Sequence, residues 1–134
     1  MTEEWAAAIV RGDTMAISVL VTRGADVDAC DAYGQTALML AAHQGNLKVV
    51  EALIEVGADL NTSAKYRLTP LMLAVIGKHV DVARVLVAAG ADLEARTAGA
   101  PGFEDKSAYE LAVALGLGML AEELRPQSDL GMLG

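Results

Sequence analysis

The tripeptide Gly-Ala-Asp recurs at Gly24-Ala25-Asp26, Gly57-Ala58-Asp59 and Gly90-Ala91-Asp92, with a spacing of 33 residues both times. A fixed period of that length marks a chain built from stacked copies of one supersecondary unit. Each copy buries its apolar face only against its neighbours. Such a stack presents surface to other molecules before it presents an enclosed active site.

The repeat extends beyond the tripeptide. Residues 31–63 laid over residues 64–96 match at 12 of 33 positions, among them Tyr33/Tyr66, Thr36/Thr69, Leu38/Leu71, Met39/Met72 and Leu53/Leu86. Earlier, Gly12, Ile17, Leu20 and Gly24 precede Gly45, Val50, Leu53 and Gly57 by one period. Later, Ser107, Leu111, Ala112, Leu120 and Leu124 follow Thr69, Leu73, Ala74, Val82 and Leu86 at 38 residues, one period plus a five-residue insertion. The pattern predicts a single domain over residues 1–126. Its units are about 1–30, 31–63, 64–97 and 98–126, with residues 127–134 a flexible tail beyond the last apolar periodicity.

Within residues 31–63, Asp31 and Gly34 mark a turn. Thr36 suits a helix N-cap, and apolar spacing predicts a helix over 37–44 ended by Gly45. A second helix over 47–56 carries Val49, Val50, Leu53 and Ile54 as its stripe and ends at Gly57. The next unit has Thr69-Pro70, with proline where a helix tolerates it. The fourth has Ser107-Ala108-Tyr109-Glu110, a capping box. In the third unit Arg67 and Lys78 stand where the second has Gly34 and Gly45, and Gly77 is expected to take over the helix-ending role.

On these residues, and above all on Gly34-Gln35-Thr36-Ala37-Leu38-Met39-Leu40-Ala41-Ala42, Leu68-Thr69-Pro70-Leu71 and Leu53-Ile54-Glu55-Val56-Gly57-Ala58-Asp59, the chain resembles the ankyrin repeat family over roughly residues 4–125. The resemblance implies an all-α solenoid of stacked helix-turn-helix units with short β-hairpin fingers. It also implies a protein-binding module that works through finger tips and a concave face of inner helices. Where the family carries a histidine that hydrogen-bonds between units, this chain has Met39, Met72 and Glu110; those bonds are expected to be absent, with methionine packing in their place. Asp59-Leu60-Asn61 resembles the ankyrin asparagine that is hydroxylated in animal cells, and is read here as turn chemistry.

Composition narrows the function. Apolar residues make up 54% of the chain but aromatics only 4%, so small aliphatic side chains do the packing, as suits close helices. No apolar run approaches the ~18 residues that span a bilayer. The acidic start Met1-Thr2-Glu3-Glu4-Trp5 is unlike a secretory leader, and the lone Cys30 fits a reducing compartment; the expected location is cytoplasmic. The net charge of −8 argues against nucleic-acid binding. Residues 64–97 run against that charge, with five basic and three acidic side chains between acidic neighbours.

No catalytic constellation is visible, and neither a metal nor a cofactor is expected. His43 and His79 occupy non-equivalent positions with no companion ligands in metal-binding spacing. Asp26, Asp28 and Asp31 suggest a calcium loop, but Ala37 stands where its closing glutamate belongs. Gly116-Leu117-Gly118-Met119-Leu120-Ala121 matches a dinucleotide fingerprint on paper, yet follows a helix and reads as the turn between the last two helices. The expected role is a monomeric, non-enzymatic module for a protein partner. The expected contacts are Tyr33, Tyr66 and Phe103 as apolar anchors, Gln35, Lys65 and Arg67 beside them, and His43, Gln44 and Ile76 on the inner helices. Two other roles fit the same pattern: an inhibitor or immunity-type protein that blocks an enzyme or toxin, and a self-associating scaffold.

Overall fold

In the computed structural model, which describes residues 1–99, 102 and 104–126, four helix pairs follow one another. They are α1 (Glu3–Arg11) with α2 (Thr14–Thr22), α3 (Ala37–Gln44) with α4 (Leu47–Glu55), α5 (Pro70–Ile76) with α6 (Val80–Ala88), and α7 (Ala108–Ala114) with α8 (Gly118–Glu123). The first helices of the pairs pack in one row, α1 on α3, α3 on α5 and α5 on α7. The second helices α2, α4 and α6 form a parallel row.

The helix starts follow the side chains. Thr36 Oγ1 accepts from Met39 N, Thr69 Oγ1 from Met72 N and Ser107 Oγ from Glu110 N, each at 3.3 Å. Asp13 and Asn46 cap α2 and α4 in the same way. A cap of this kind contributes about 1 kcal/mol, which matters for helices of two turns that would not persist alone in water. The capping box at Ser107 is only half formed. The Glu110 carboxylate receives Arg96 Nη2 rather than reaching back to the Ser107 backbone.

Burial follows the period. Val49, Val50 and Leu53 of α4 are fully covered, as are Val82, Ala83 and Leu86 of α6. Trp5, Leu38, Leu71 and Leu111 fill the row of first helices. Met39 and Met72 are both buried.

The recurring Gly-Ala-Asp has a separate task for each residue. Gly24, Gly57 and Gly90 take φ of 99°, 90° and 105° as the chain leaves the second helix, a backbone that side chains resist. Ala58 and Ala91 are buried as part of the core. Each aspartate folds a local turn: Asp26 Oδ1 accepts from Asp28 N, Asp59 Oδ1 from Asn61 N and Asp92 Oδ1 from Glu94 N. The turns are then sewn together. Asp28 Oδ1 accepts from Asp59 N and Asn61 Oδ1 from Asp92 N, both at 2.8 Å. This accounts for Asp59-Leu60-Asn61 as turn chemistry, because the Asn61 amide oxygen is one of the stitches.

One sequence expectation needs correction and two gain detail. The β-hairpin fingers are turns: among the described residues the one β-bridge joins Cys30 to Thr36. Each turn is closed instead by a backbone bond, Asp31 N to Gln35 O, Ala64 N to Leu68 O and Thr97 N to Lys106 O. Gly77 does end α5, as its C-cap, but in right-handed backbone with φ of −78°; Lys78, at the position of Gly45, takes the positive φ of 60°. A histidine does link two units, from a position other than those of Met39 and Met72. His79 Nε2 lies 3.0 Å from the carbonyl oxygen of His43.

Candidate functional site

The turn at residues 31–36 is held by one carboxylate. Asp31 Oδ1 accepts from Tyr33 N at 2.8 Å and from Gln35 N at 3.0 Å, and Gly34 supplies the φ of 77°. The third unit has lost both parts, with Ala64 for Asp31 and Arg67 for Gly34. Its backbone compensates with a 3₁₀ turn over Lys65–Arg67 in which Tyr66 and Arg67 have consecutive φ values of 65° and 60°. Non-glycine residues pay for this conformation with about 1–2 kcal/mol each. Hydrogen bonds from Arg67 N to Ala64 O and from Ala98 N to Tyr66 O fix the turn in place.

Between these two turns lies a groove of about 450 Å³. Tyr33 and Gln35 stand on one wall, Lys65 and Tyr66 on the other, with Leu68 and Leu73 beneath. Tyr33 is 80% exposed. Tyr66 is half-buried, with its ring beside Gly99 of the following turn and the Lys65 ammonium 4.9 Å from its centroid. The two equivalent tyrosines therefore differ: Tyr33 is free at a tip, while Tyr66 is partly a packing residue. Leu73, at the inner-helix position of Leu40, is almost covered.

A second, polar groove of about 690 Å³ lies on the other flank of the third turn, with Arg67, Asn61, Asp92 and Arg96 in its walls. Arg96 is neutralised there. Its Nε donates to Asp105 Oδ1 at 2.8 Å and its Nη2 to Glu110 Oε1 at 2.6 Å. The hydrogen bond to Asp105, with Glu110 close by, raises the Arg96 pKa above its ordinary value despite some desolvation. Arg84 is likewise paired, with Glu123 at 2.9 Å. Lys65 and Arg67 form no ion pair among the described residues.

The structure thus brings Tyr33, Gln35, Lys65 and Tyr66 into one groove and sets Arg67 on its outer flank. His43 and Gln44 are exposed at the far end of α3, and Ile76 is half-buried at the far end of α5. The eight residues of α3 separate them from the turns by about 12 Å. The His43 carbonyl is occupied by His79. Phe103 lies outside the described residues, as does the tail 127–134. Sequence reasoning missed the floor, Leu68 and Leu73. A signal for Leu68 was available: it stands one period after Gln35, an apolar residue where the preceding unit is polar.

The acidic residues considered for calcium are spent on backbone N–H groups, as are Asp26 and Asp28 above and Asp31 here. Gly116, with φ of 78°, turns the chain from α7 into α8. No helix among the described residues is long and apolar enough to cross a membrane. A family model of ankyrin repeats, in three copies, matches residues 5–97. No curated protein matches the chain.

Proposed function

The chain belongs to the ankyrin repeat family, whose members are generally protein–protein interaction modules, and we propose that it binds a protein partner through its turn tips and the row of first helices. The observation that carries this reading is Tyr33. In a chain with few aromatics, this ring stands almost wholly in solvent beside a preformed groove, where a rigid amphipathic side chain contributes most to an interface. The helix stack holds the tips in place, so binding orders little that is not already ordered. The module acts as a cytoplasmic monomer without catalysis of its own. Ser63, Thr69 and Thr97 line the polar groove with no histidine beside them to act as a base.

The test is comparative capture. The full chain and its Tyr33→Ala/Gln35→Ala variant are immobilised side by side, and captured proteins are quantified by mass spectrometry. At least one protein is expected to be retained by the parent chain and lost by the variant. Identical capture by both would move the contact surface away from the tips.

A further inference from the structure

We propose that the groove between the second and third turns takes a linear acidic segment of the partner, with one apolar side chain seated on Leu68 and Leu73 and carboxylates meeting Lys65 and Arg67. This rests on the reading of the chain as a protein-binding module and adds the chemistry of what enters the groove.

Charge complementarity is the first support. The chain carries −8, yet the third unit is basic. Two of its cations, Arg84 and Arg96, are neutralised by Glu123, Asp105 and Glu110. Lys65, Arg67 and Lys78 form no ion pair among the described residues; of these, Lys65 and Arg67 stand one on each flank of the same turn. Arg67 shares its groove with Asp92, Glu94, Glu104 and Asp105, whereas no acidic residue lines the groove beside Lys65, so a partner's carboxylates are steered first to the Lys65 side. Nucleic acid, with its run of phosphates, meets the acidic units as soon as it extends beyond the tip.

The groove itself is the second support. Leu68 replaces the glutamine of the preceding unit and gives an apolar floor with Leu73, while the Tyr33 and Tyr66 rings wall the space above it. That arrangement fits one aliphatic or aromatic side chain. Gln35, half-exposed on the wall, offers an amide to an extended backbone. The third support is the sparsely populated backbone of Tyr66 and Arg67, which fixes where Lys65 and Arg67 stand; strain of this kind collects at binding sites.

A random peptide library displayed on phage is panned against the full chain, and the selected peptides are sequenced and synthesised. Enrichment of Asp and Glu within a few residues of Leu, Ile, Phe or Met is expected. Tyr33→Ala is expected to weaken the best peptide about 30-fold or more. Lys65→Gln with Arg67→Gly, which keeps the turn because glycine accepts the same φ, is expected to weaken it about tenfold at low salt and less at high salt. Enrichment of basic peptides, or binding indifferent to both variants, would overturn the proposal. So would the absence of any selected peptide; if tip-dependent capture of a whole protein persisted in that case, the module reading would stand and only the acidic-segment inference would fall.

Discussion

The His79 imidazole reaches across two units and places Nε2 3.0 Å from the His43 carbonyl oxygen, 36 residues earlier in the chain. Two glycines make room for it. A Cβ on Gly45 would run into the ring, and one on Gly77 would lie 2.6 Å from its Cδ2 and 3.0 Å from the His43 oxygen. The family's histidine position is vacant in this chain, and a different histidine ties the second unit to the third.

Gly77 sits in ordinary right-handed backbone, where alanine is normally favoured by about 1 kcal/mol. Here Gly77→Ala is expected to destabilise by about 1–3 kcal/mol, because the new methyl overpacks the ring. In a His79→Ala background most of that penalty should disappear. Urea unfolding of the two single variants and the double variant measures the coupling, expected at about 1 kcal/mol or more. Additive effects would mean that the ring does not occupy this space.

Lys78→Gly is expected to stabilise by about 1 kcal/mol, since lysine now holds a φ of 60° where the preceding unit has glycine. Thermal unfolding should rise by about 3–5 °C. A fall in melting temperature would show that the lysine side chain contributes more than its backbone costs.

Asn61→Ala removes the acceptor for Asp92 N and Asp28→Ala the acceptor for Asp59 N. Each is expected to cost about 1 kcal/mol. Hydrogen exchange at Asp92 should quicken in the first variant and at Asp59 in the second. Unchanged exchange would mean that water replaces the stitch without loss.

Trp5→Ala is expected to cost about 3–5 kcal/mol, because this ring is the largest buried side chain of the first unit and its loss opens a cavity in the core. Denaturant melts followed by circular dichroism report it. A loss under 1 kcal/mol would show that the second unit does not need the first as its cover.

Tyr33→Ala should leave stability within about 0.5 kcal/mol, since the ring is exposed and makes no core contact. The same change should weaken a partner's binding by about 2 kcal/mol or more. Isothermal titration with a captured partner measures the second quantity. A stability loss comparable to that of Trp5→Ala would make the tyrosine structural.

Much of this architecture is legible in the chain itself. Thr36, Thr69 and Ser107 start helices because each offers an oxygen at a fixed distance from free N–H groups, and that distance is local in sequence. The period, the stripe of Val49, Val50 and Leu53, and the role of Gly57 follow from rules that act within a few residues. The ends were local as well: α4 stops one residue before the expected Val56, which becomes its cap.

Tertiary structure decided what depends on neighbours a full unit away. Tyr33 and Tyr66 are identical and equivalent in sequence, yet one is free and the other leans on Gly99, because the following turn is drawn in at Tyr66 by the bond from Ala98 N to Tyr66 O, which has no counterpart at Tyr33 among the described residues. The basic unit looked uniformly cationic until Glu123, Asp105 and Glu110 arrived from the fourth unit and left Lys65, Arg67 and Lys78 without an ion pair among the described residues. Gly77 caps the end of α5, a local role, but the His79 ring wedged against it was not legible locally. Amino-acid order determined the unit, because hydrogen bonds and helical spacing are short-range. The folded stack determined the surface, because charge pairing and burial depend on which units come to lie together.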